Sequence, residues 1–188
     1  MNNLNKIIEA LLFSNPNPLK QSMIDKVFPD KSIILAEVIG ELNDQYLKED
    51  HAFEISQVAG GYQLISKDEY EYFINLILDK ASKFILSKAA LEALAIVAYK
   101  QPISRSEIES IRGVDTSGVL KTLLTKNLIE IRGRSVAPGR PLLYKTTNKF
   151  LEYFGLDKLS EMPKLKEIKQ LIESDPVLGK QITVFNDS

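Results

Sequence analysis

The sequence contains no cysteine and a single histidine, His51. Without cysteine the chain cannot form disulfides, use a thiol in catalysis or bind zinc or an iron–sulfur cluster through thiolates. One histidine cannot build a multi-histidine metal centre. His51 lies between a predicted helix end and a predicted strand, where an ordinary boundary histidine is the simpler interpretation. We therefore expect no metal site and no cofactor.

Long apolar runs are missing as well. The longest apolar stretch, near residues 89–99, is interrupted by Glu92, and it is shorter than the roughly 20 residues that a membrane-spanning helix needs. The N-terminus has only Lys6 and a short amphipathic run without a small-residue cleavage site, so no secretory signal is expected. With 44% hydrophobic and 26% charged residues, the composition is typical of a folded protein, which we expect in the cytoplasm.

Motifs of the common enzyme classes are absent too. The chain has neither the G-x-x-x-x-G-K-[ST] phosphate-binding loop nor the G-x-S-x-G nucleophile motif. The segment DTSG at 115–118 is similar to an aspartic-protease motif, but that motif lies between strands and needs a second aspartate. Here it precedes a predicted helix, which Asp115 or Thr116 is predicted to cap. We therefore expect no enzymatic activity.

Apolar periodicity and turn residues predict the same order of elements twice. Three helices are predicted in residues 4–46, and the strands FEISQV and YQLIS follow as a hairpin around Gly60-Gly61. Three more helices and the strands LIEIRG and PLLYKTT follow from residue 87 onward. This order predicts a mainly α fold with small β-hairpins (α+β). Two tandem winged-helix domains would occupy 1–80 and 86–156, and 157–188 would form a peripheral helix or a flexible tail.

Short motifs predict several element boundaries. Ser66 with Glu69 matches the capping-box pattern for a helix running to about residue 79, and Ser104 with Glu107 matches it for a second helix. Pro138-Gly139 fits the two central positions of a type II turn. The basic segment GRSVAPGRPLLYKTT, residues 133–147, is therefore predicted to be the wing of the second domain.

Charge is distributed unevenly along the chain. All five arginines lie between residues 105 and 140, and residues 99–150 contain ten basic and four acidic residues, although the whole chain has a net charge of −1. The third helix of the first domain presents Glu37, Glu41 and Asp44, which phosphates would repel. The corresponding helix of the second domain has no Arg, Asn or Gln on its first two turns to read bases. The arginines would contact either a phosphate backbone or acidic groups of this protein or a partner, and we prefer the acidic groups.

Long motifs run through both domains. The second domain contains ALEALAIVAYKQPISRSEIESIRGVDTSGVLKTLL followed by LIEIRGRSVAPGRPLLYKTTNKFLEYFGL, and the first contains IIEALLFSNPNPL and GGYQL. Together these motifs resemble the bacterial segregation and condensation protein B family. Beyond Lys164 no motif of that family is matched.

The resemblance implies a non-enzymatic accessory subunit of the bacterial SMC–kleisin condensin-like complex, which acts in chromosome condensation and partition during cell division. It implies a homodimer, formed mainly through the N-terminal domain, that binds the central kleisin segment and reaches the SMC ATPase heads through it. Association with chromosomal DNA and the nucleoid is expected through the complex, without membrane attachment. The alternative is a winged-helix DNA-binding transcriptional regulator, which needs a base-reading third helix.

Two contact surfaces are predicted within this framework. The surface for the kleisin is assigned to four residues of the second domain: Arg112, Arg134, Arg140 and Tyr144. Alternatively, the tyrosine fills the core and the arginines hold the wing through ion pairs. The surface for the second subunit is assigned to the helix after the first hairpin, together with the N-terminal helix: Tyr70, Phe73, Ile74 and Ile77. The alternative for these residues is core packing.

Overall fold

The computed structural model describes residues 3–77 and 86–164. These residues form two compact units. The first comprises residues 3–77 together with Leu151–Lys158, and the second comprises Leu86–Phe150 together with residues 159–164. Both combine helices with a small antiparallel sheet, which confirms the predicted α+β class. Within the two described ranges, no helix is both long and apolar enough to cross a membrane.

The first unit follows the predicted order of three helices and a hairpin. Its elements are α1 (Asn3–Ser14), α2 (Gln21–Val27), α3 (Leu35–Lys48), β1 (Phe53–Val58), β2 (Gly61–Ser66) and α4 (Glu71–Ile77). The two strands pair in antiparallel fashion along their whole length. One turn of 3-10 helix, Asp68–Tyr70, leads from β2 into α4. The hairpin is the wing of a winged helix.

The core of the first unit is formed by α1, α2, α3 and the hairpin. Apolar residues three and four apart lie on one side of a helix, which is why the predicted apolar faces of α1 and α3 supply most of it. The fully buried aliphatic side chains are Ile8, Ile24, Leu35 and Leu42. Tyr46 is buried among them, and its hydroxyl donates to Glu9 Oε1 at 2.8 Å. Burial and, secondarily, the Glu9 carboxylate raise the pKa of Tyr46, so its hydroxyl remains a donor.

The turn of this hairpin lies earlier than the sequence indicated. Its central residues are Ala59 and Gly60, with φ of 52° and 74°, so Gly61 is the first residue of β2. Positive φ at both positions is the type I′ geometry favoured in two-residue hairpins. Two later residues of the same unit close over the turn. Ala59 N donates to Leu156 O at 2.9 Å, and Gly60 N donates to Asp157 Oδ1 at 2.9 Å.

Gly61 is required by close packing and not by its backbone angle. A Cβ at this position would lie 2.8 Å from Pro18 Cβ and 3.0 Å from Leu19 O. We expect Gly61→Ala to lower the free energy of unfolding by about 1–3 kcal/mol, because the strand would have to move away from Leu19. The measurement is urea unfolding, with Gly40→Ala as the control.

Gly40 lies within α3, and a Cβ there would meet nothing within 4 Å. Its replacement by alanine is expected to raise the free energy of unfolding by up to about 1 kcal/mol, since glycine weakens a helix interior. Equal effects of the two substitutions would show that the approach of the Pro18-Leu19 segment does not select glycine at position 61.

The second unit repeats the order and adds a short strand. Its elements are α5 (Lys88–Lys100), β3 (Ile103–Ser104), α6 (Arg105–Arg112), α7 (Ser117–Thr125), β4 (Ile129–Arg134) and β5 (Leu142–Thr146). The strands form an antiparallel sheet in the order β3–β5–β4. Helix α8 (Asn148–Phe154) follows. Ala93, Leu94 and Val97 of α5 are buried, so this helix is central to the core, as its nearly continuous apolar surface predicts.

The start and end of α6 confirm the sequence signals for a helix. Ser104 Oγ accepts from Glu107 N, and the Glu107 carboxylate accepts from Ser104 N at 2.8 Å, which completes the predicted capping box. The Ser104 hydroxyl also donates to Glu107 Oε2 at 2.5 Å, and this bond, followed by the one from Ser104 N, lowers the pKa of Glu107. At the other end, Gly113 has a φ of 74° and supplies the left-handed residue at which the helix ends.

The capping box predicted at Ser66 and Glu69 is wrong. Ser66 still pairs with Phe53 in the hairpin, and α4 begins only at Glu71. Strand pairing therefore overrides the local capping signal. Residue 79, where this helix was predicted to end, lies outside the described residues. Of the predicted tail, residues 157–164 are described and contain one 3-10 turn, Leu159–Glu161; the rest lies outside them as well.

Candidate protein-binding surfaces

The wing of the second unit is closed by its own hydrogen bonds. Arg140 N donates to Ala137 O at 2.9 Å, and Gly139 has a φ of 80°. This confirms the predicted turn with Pro138-Gly139 at its centre. Below the turn, Ser135 N donates to Pro141 O at 2.8 Å. The tip is therefore a defined loop on which the arginines are presented.

Two of the four predicted kleisin-contact residues lie together on this wing. Arg134 Nη1 donates to Arg140 O at 3.1 Å, and both side chains are exposed. Neither guanidinium has an ion pair within the described residues. The wing therefore presents positive charge to its surroundings and does not use it internally.

Tyr144 occupies a different environment. It lies on the central strand β5, opposite Ile103 of β3 and Ile131 of β4, and it is buried. Its ring fills the space behind the sheet, in agreement with the alternative that this residue belongs to the core. Tyr144 can therefore affect the predicted kleisin surface only indirectly, by holding β5, one of the two strands of the wing, in place.

Arg112 is the last residue of α6 and does not belong to the wing. Its side chain is only 9% exposed, and its Nη2 donates to Glu92 Oε2 of α5 at 3.0 Å. Its Nε is buried and has no hydrogen-bond partner among the described residues. On either side in sequence, Ile111 and Val114 are each 55% exposed. A guanidinium that reaches the surface with a small exposed fraction, flanked in sequence by two exposed apolar side chains, is an arrangement that a protein partner can cover.

Charged groups hold the connection from α6 to α7 in one conformation. The guanidinium of Arg105 contacts Glu109 Oε1 and Asp115 Oδ1, both at 2.6 Å. Glu109 Oε1 also accepts from Thr116 N at 3.0 Å, and this bond, followed by the one from Arg105, lowers the pKa of Glu109. Hydrogen bonds from Ser117, and after them the charge of Arg105, lower the pKa of Asp115. These bonds fix the loop that carries Val114. Of the two residues predicted to cap α7, Thr116 occupies the N-cap but its side chain makes no capping hydrogen bond, whereas Asp115 Oδ2 accepts from Ser117 N at 3.2 Å.

The helix predicted to form the subunit contact is unusual in having no buried residue. Phe73 and Ile77 are 61% and 86% exposed, whereas Tyr70 and Ile74 are partly buried. Two further apolar side chains of α4 are exposed as well, although they are not among the predicted contact residues: Tyr72 and Leu76. The short helix is therefore apolar on its outer surface, which is the expected property of a protein contact and not of core packing.

Neither third helix is equipped to read bases. Glu37, Glu41 and Asp44 are exposed on α3, as predicted, and would repel phosphates. On α7 the hydroxyls that face solvent are engaged with their own backbone, because Thr122 Oγ1 donates to Gly118 O and Thr125 Oγ1 donates to Lys121 O. Base recognition in the major groove by either helix is therefore unsupported.

His51 is a boundary residue, as predicted. Its ring stacks on Phe53 with centroids 4.9 Å apart, and its Nε2 lies 3.1 Å from Glu49 Oε2. No group of three or more metal-ligating side chains occurs in the part of the chain that the structure describes.

Comparisons with known proteins agree on one family. The family model described as "Segregation and condensation complex subunit ScpB" matches residues 6–165. Segregation and condensation protein B of Syntrophotalea carbinolica is 43% identical over 176 residues, which is 93% of this chain and 89% of that protein. The protein of the same name from Symbiobacterium thermophilum is 45% identical over 157 residues, 84% of this chain and 71% of that protein.

Two solved structures are also similar. ScpB from Mycobacterium tuberculosis is 26% identical, with 82% of this chain and 96% of that chain covered and a TM-score of 0.39. A dimer of a ScpB N-terminal domain complexed with ScpA peptide is 25% identical, with 44% of this chain and 95% of that chain covered and a TM-score of 0.37. Because both TM-scores are low, the relationship rests on the sequence matches.

Proposed function

Since the chain belongs to the ScpB family of segregation and condensation complex subunits, we propose that it is a non-enzymatic accessory subunit of the bacterial SMC–kleisin condensin-like complex. It forms a homodimer through its N-terminal winged-helix domain, residues 1–80. The second domain, residues 86–156, binds the central segment of the kleisin and, through the kleisin, reaches the SMC ATPase heads. In this role it acts in chromosome condensation and partition and associates with the nucleoid through the complex.

The environment of Arg112 carries the proposal for the kleisin. The side chain of Arg112 is 9% exposed, and this exposed part can donate a hydrogen bond to a carbonyl or carboxylate oxygen of a docked segment. Ile111 and Val114 give the same segment apolar contacts on both sides. Arginine with neighbouring apolar side chains is a composition that dominates binding energy at many interfaces.

The four residues first assigned to kleisin binding have different roles in this proposal. Arg112 is the contact, and Tyr144 is a positioning residue because it is buried in the sheet. Arg134 and Arg140 lie on the wing, where no side chain from Arg132 to Arg140 is buried, so the kleisin proposal does not depend on them.

The exposed apolar surface of α4 supports the homodimer. Phe73 and Ile77 lose contact with water when a second copy covers the helix, and each fully buried large apolar side chain stabilises an association by roughly 1.5–3 kcal/mol. Tyr72 and Leu76 enlarge this surface. These four side chains are neighbours on one short helix, and a group of exposed apolar side chains favours a protein contact more than single scattered ones do.

Calorimetry with a peptide spanning the central segment of the cognate kleisin tests the proposed function. We expect saturable binding with two chains per peptide, because one kleisin would engage a dimer. A chain that is folded by circular dichroism but does not bind the peptide would contradict the kleisin proposal. A one-to-one stoichiometry would contradict the dimer as the binding unit.

A further inference from the structure

The second wing carries arginines that no ion pair neutralises among the described residues of its unit. Residues 131–149 contain five basic and no acidic residues. Lys145 pairs with Glu130 at 2.7 Å, but the three arginines of the segment have no ion pair within the described residues. We call these three the arginine wing: Arg132, Arg134 and Arg140.

The charge of the wing belongs to a wider separation of charge between the two units. In the described residues the second unit has twelve basic and six acidic side chains, a net charge of +6. The first unit has seven basic and fourteen acidic side chains, a net charge of −7. The near-zero net charge of the whole chain therefore conceals one strongly cationic unit.

Four of the six acidic groups described in the second unit are engaged with partners outside the wing. Glu92 pairs with Arg112, and Glu109 and Asp115 pair with Arg105. Glu107 completes the capping box of α6. Glu130, on the first strand of the wing, pairs with Lys145. The three exposed arginines therefore remain available to an external anion.

The backbone presents the arginines in a defined arrangement. The register of β4 against β5 shifts between Ile131 and Gly133, so Arg132 is the extra residue of a β-bulge, and Gly133 has a φ of 141°. A bulge redirects side chains at the end of a hairpin. Beyond it, the hydrogen bond from Arg134 to Arg140 O and the turn around Pro138-Gly139 hold the other two. Little conformational freedom is then lost when the backbone of the wing meets a ligand.

We propose that the arginine wing binds the phosphodiester backbone of duplex nucleic acid without reading its sequence. Guanidinium groups match phosphate oxygens in geometry and charge, and three of them on one hairpin reach successive phosphates. We expect no sequence readout from α7, because its first two turns contain no Arg, Asn or Gln and the hydroxyls of Thr122 and Thr125 donate to their own helix backbone. This contact is additional to kleisin binding and does not require it.

An acidic protein segment fits the wing less well. Specific protein contacts draw most of their energy from anchors in desolvated pockets. Between Arg132 and Arg140 no side chain is buried, and Val136 at the tip is fully exposed. An exposed, positively charged surface of this kind is suited to a repeating polyanion such as nucleic acid. The affinity of such a ligand depends on the number of phosphates that the protein neutralises.

Fluorescence anisotropy of the full chain with labelled DNA duplexes tests the proposal. Two unrelated duplexes of about 30 base pairs are expected to bind equally, in the non-specific affinity range of roughly 10⁻⁴–10⁻⁶ M. For three phosphate contacts, affinity should fall about 40-fold between about 50 and about 200 mM salt. Replacing all three arginines by glutamine is expected to weaken binding at least about tenfold and to remove most of the salt dependence.

A matched control keeps the change in net charge the same. Lys6, Lys26 and Lys48 of the first unit are exposed, and their replacement by glutamine is expected to leave DNA affinity unchanged. Equal losses in the two triple variants would overturn the proposal, as would a marked preference for one duplex. If the arginine variant instead bound DNA normally and lost the kleisin peptide, the wing would be a protein contact. Unchanged urea unfolding of both variants would show that the comparison is made between folded proteins.

Discussion

Replacing Phe73 and Ile77 together by glutamate is expected to convert a dimer into a folded monomer. Both side chains are largely exposed on α4, so their replacement should change the free energy of unfolding of the isolated chain by no more than about 0.5 kcal/mol each. In a dimer the same substitutions bury carboxylates against apolar surface without partners. A loss of roughly 4 kcal/mol of association energy corresponds to an approximately 1000-fold higher dissociation constant.

Sedimentation equilibrium at micromolar concentration measures this effect. The control exchanges two exposed apolar residues of the first unit outside α4, Ile34 and Leu47, for glutamate. The control should remain dimeric. Two monomeric variants would indicate a general effect of charge, and two dimeric variants would place the subunit contact elsewhere than α4. A wild-type chain that is already monomeric would refute the dimer itself.

Local sequence signals were sufficient for most of the fold. Helix periodicity and paired glycines produced the correct order of elements because each signal acts over a few residues. The capping box at Ser104 was predictable for the same reason. At Ser66 the same motif failed, because pairing with Phe53, thirteen positions earlier, keeps that residue in the strand. Competition between a local motif and a strand partner is decided by tertiary structure.

The candidate surfaces also contain features that local sequence signals predict and features that depend on contacts distant in sequence. Arg134 and Arg140 lie close together because the predicted turn at Pro138-Gly139 closes the hairpin between β4 and β5. The burial of Tyr144 depends on a third strand, β3, too short to show periodicity. The pairing of Arg112 with Glu92, twenty positions apart, has no sequence signature. The exposed apolar residues beside Arg112 were missed because periodicity identifies an apolar face but not whether a neighbour covers it.

Arg112→Ala and Glu92→Ala break the same ion pair but are expected to have different effects. Arg112→Ala should mainly weaken kleisin binding, and Glu92→Ala should mainly lower stability. Removing the guanidinium leaves Glu92, whose side chain is 41% exposed and can be solvated. Stability should therefore fall modestly, by about 1–2 kcal/mol, mainly through lost packing of the alkyl stem. Kleisin affinity should fall roughly 30- to 1000-fold, as for other arginine anchors.

Removing Glu92 instead leaves a nearly buried guanidinium without its acceptor, which is expected to cost more stability, about 3 kcal/mol or more. The kleisin peptide should still bind, because its oxygen acceptor now pairs with a guanidinium that has no internal competitor. Binding to the folded state alone raises stability, so saturating peptide should raise the unfolding midpoint of Glu92→Ala but not that of Arg112→Ala. Calorimetry and urea unfolding with and without peptide measure both profiles. If both variants lose peptide affinity in proportion to their stability, Arg112 is a structural residue and the kleisin binds elsewhere.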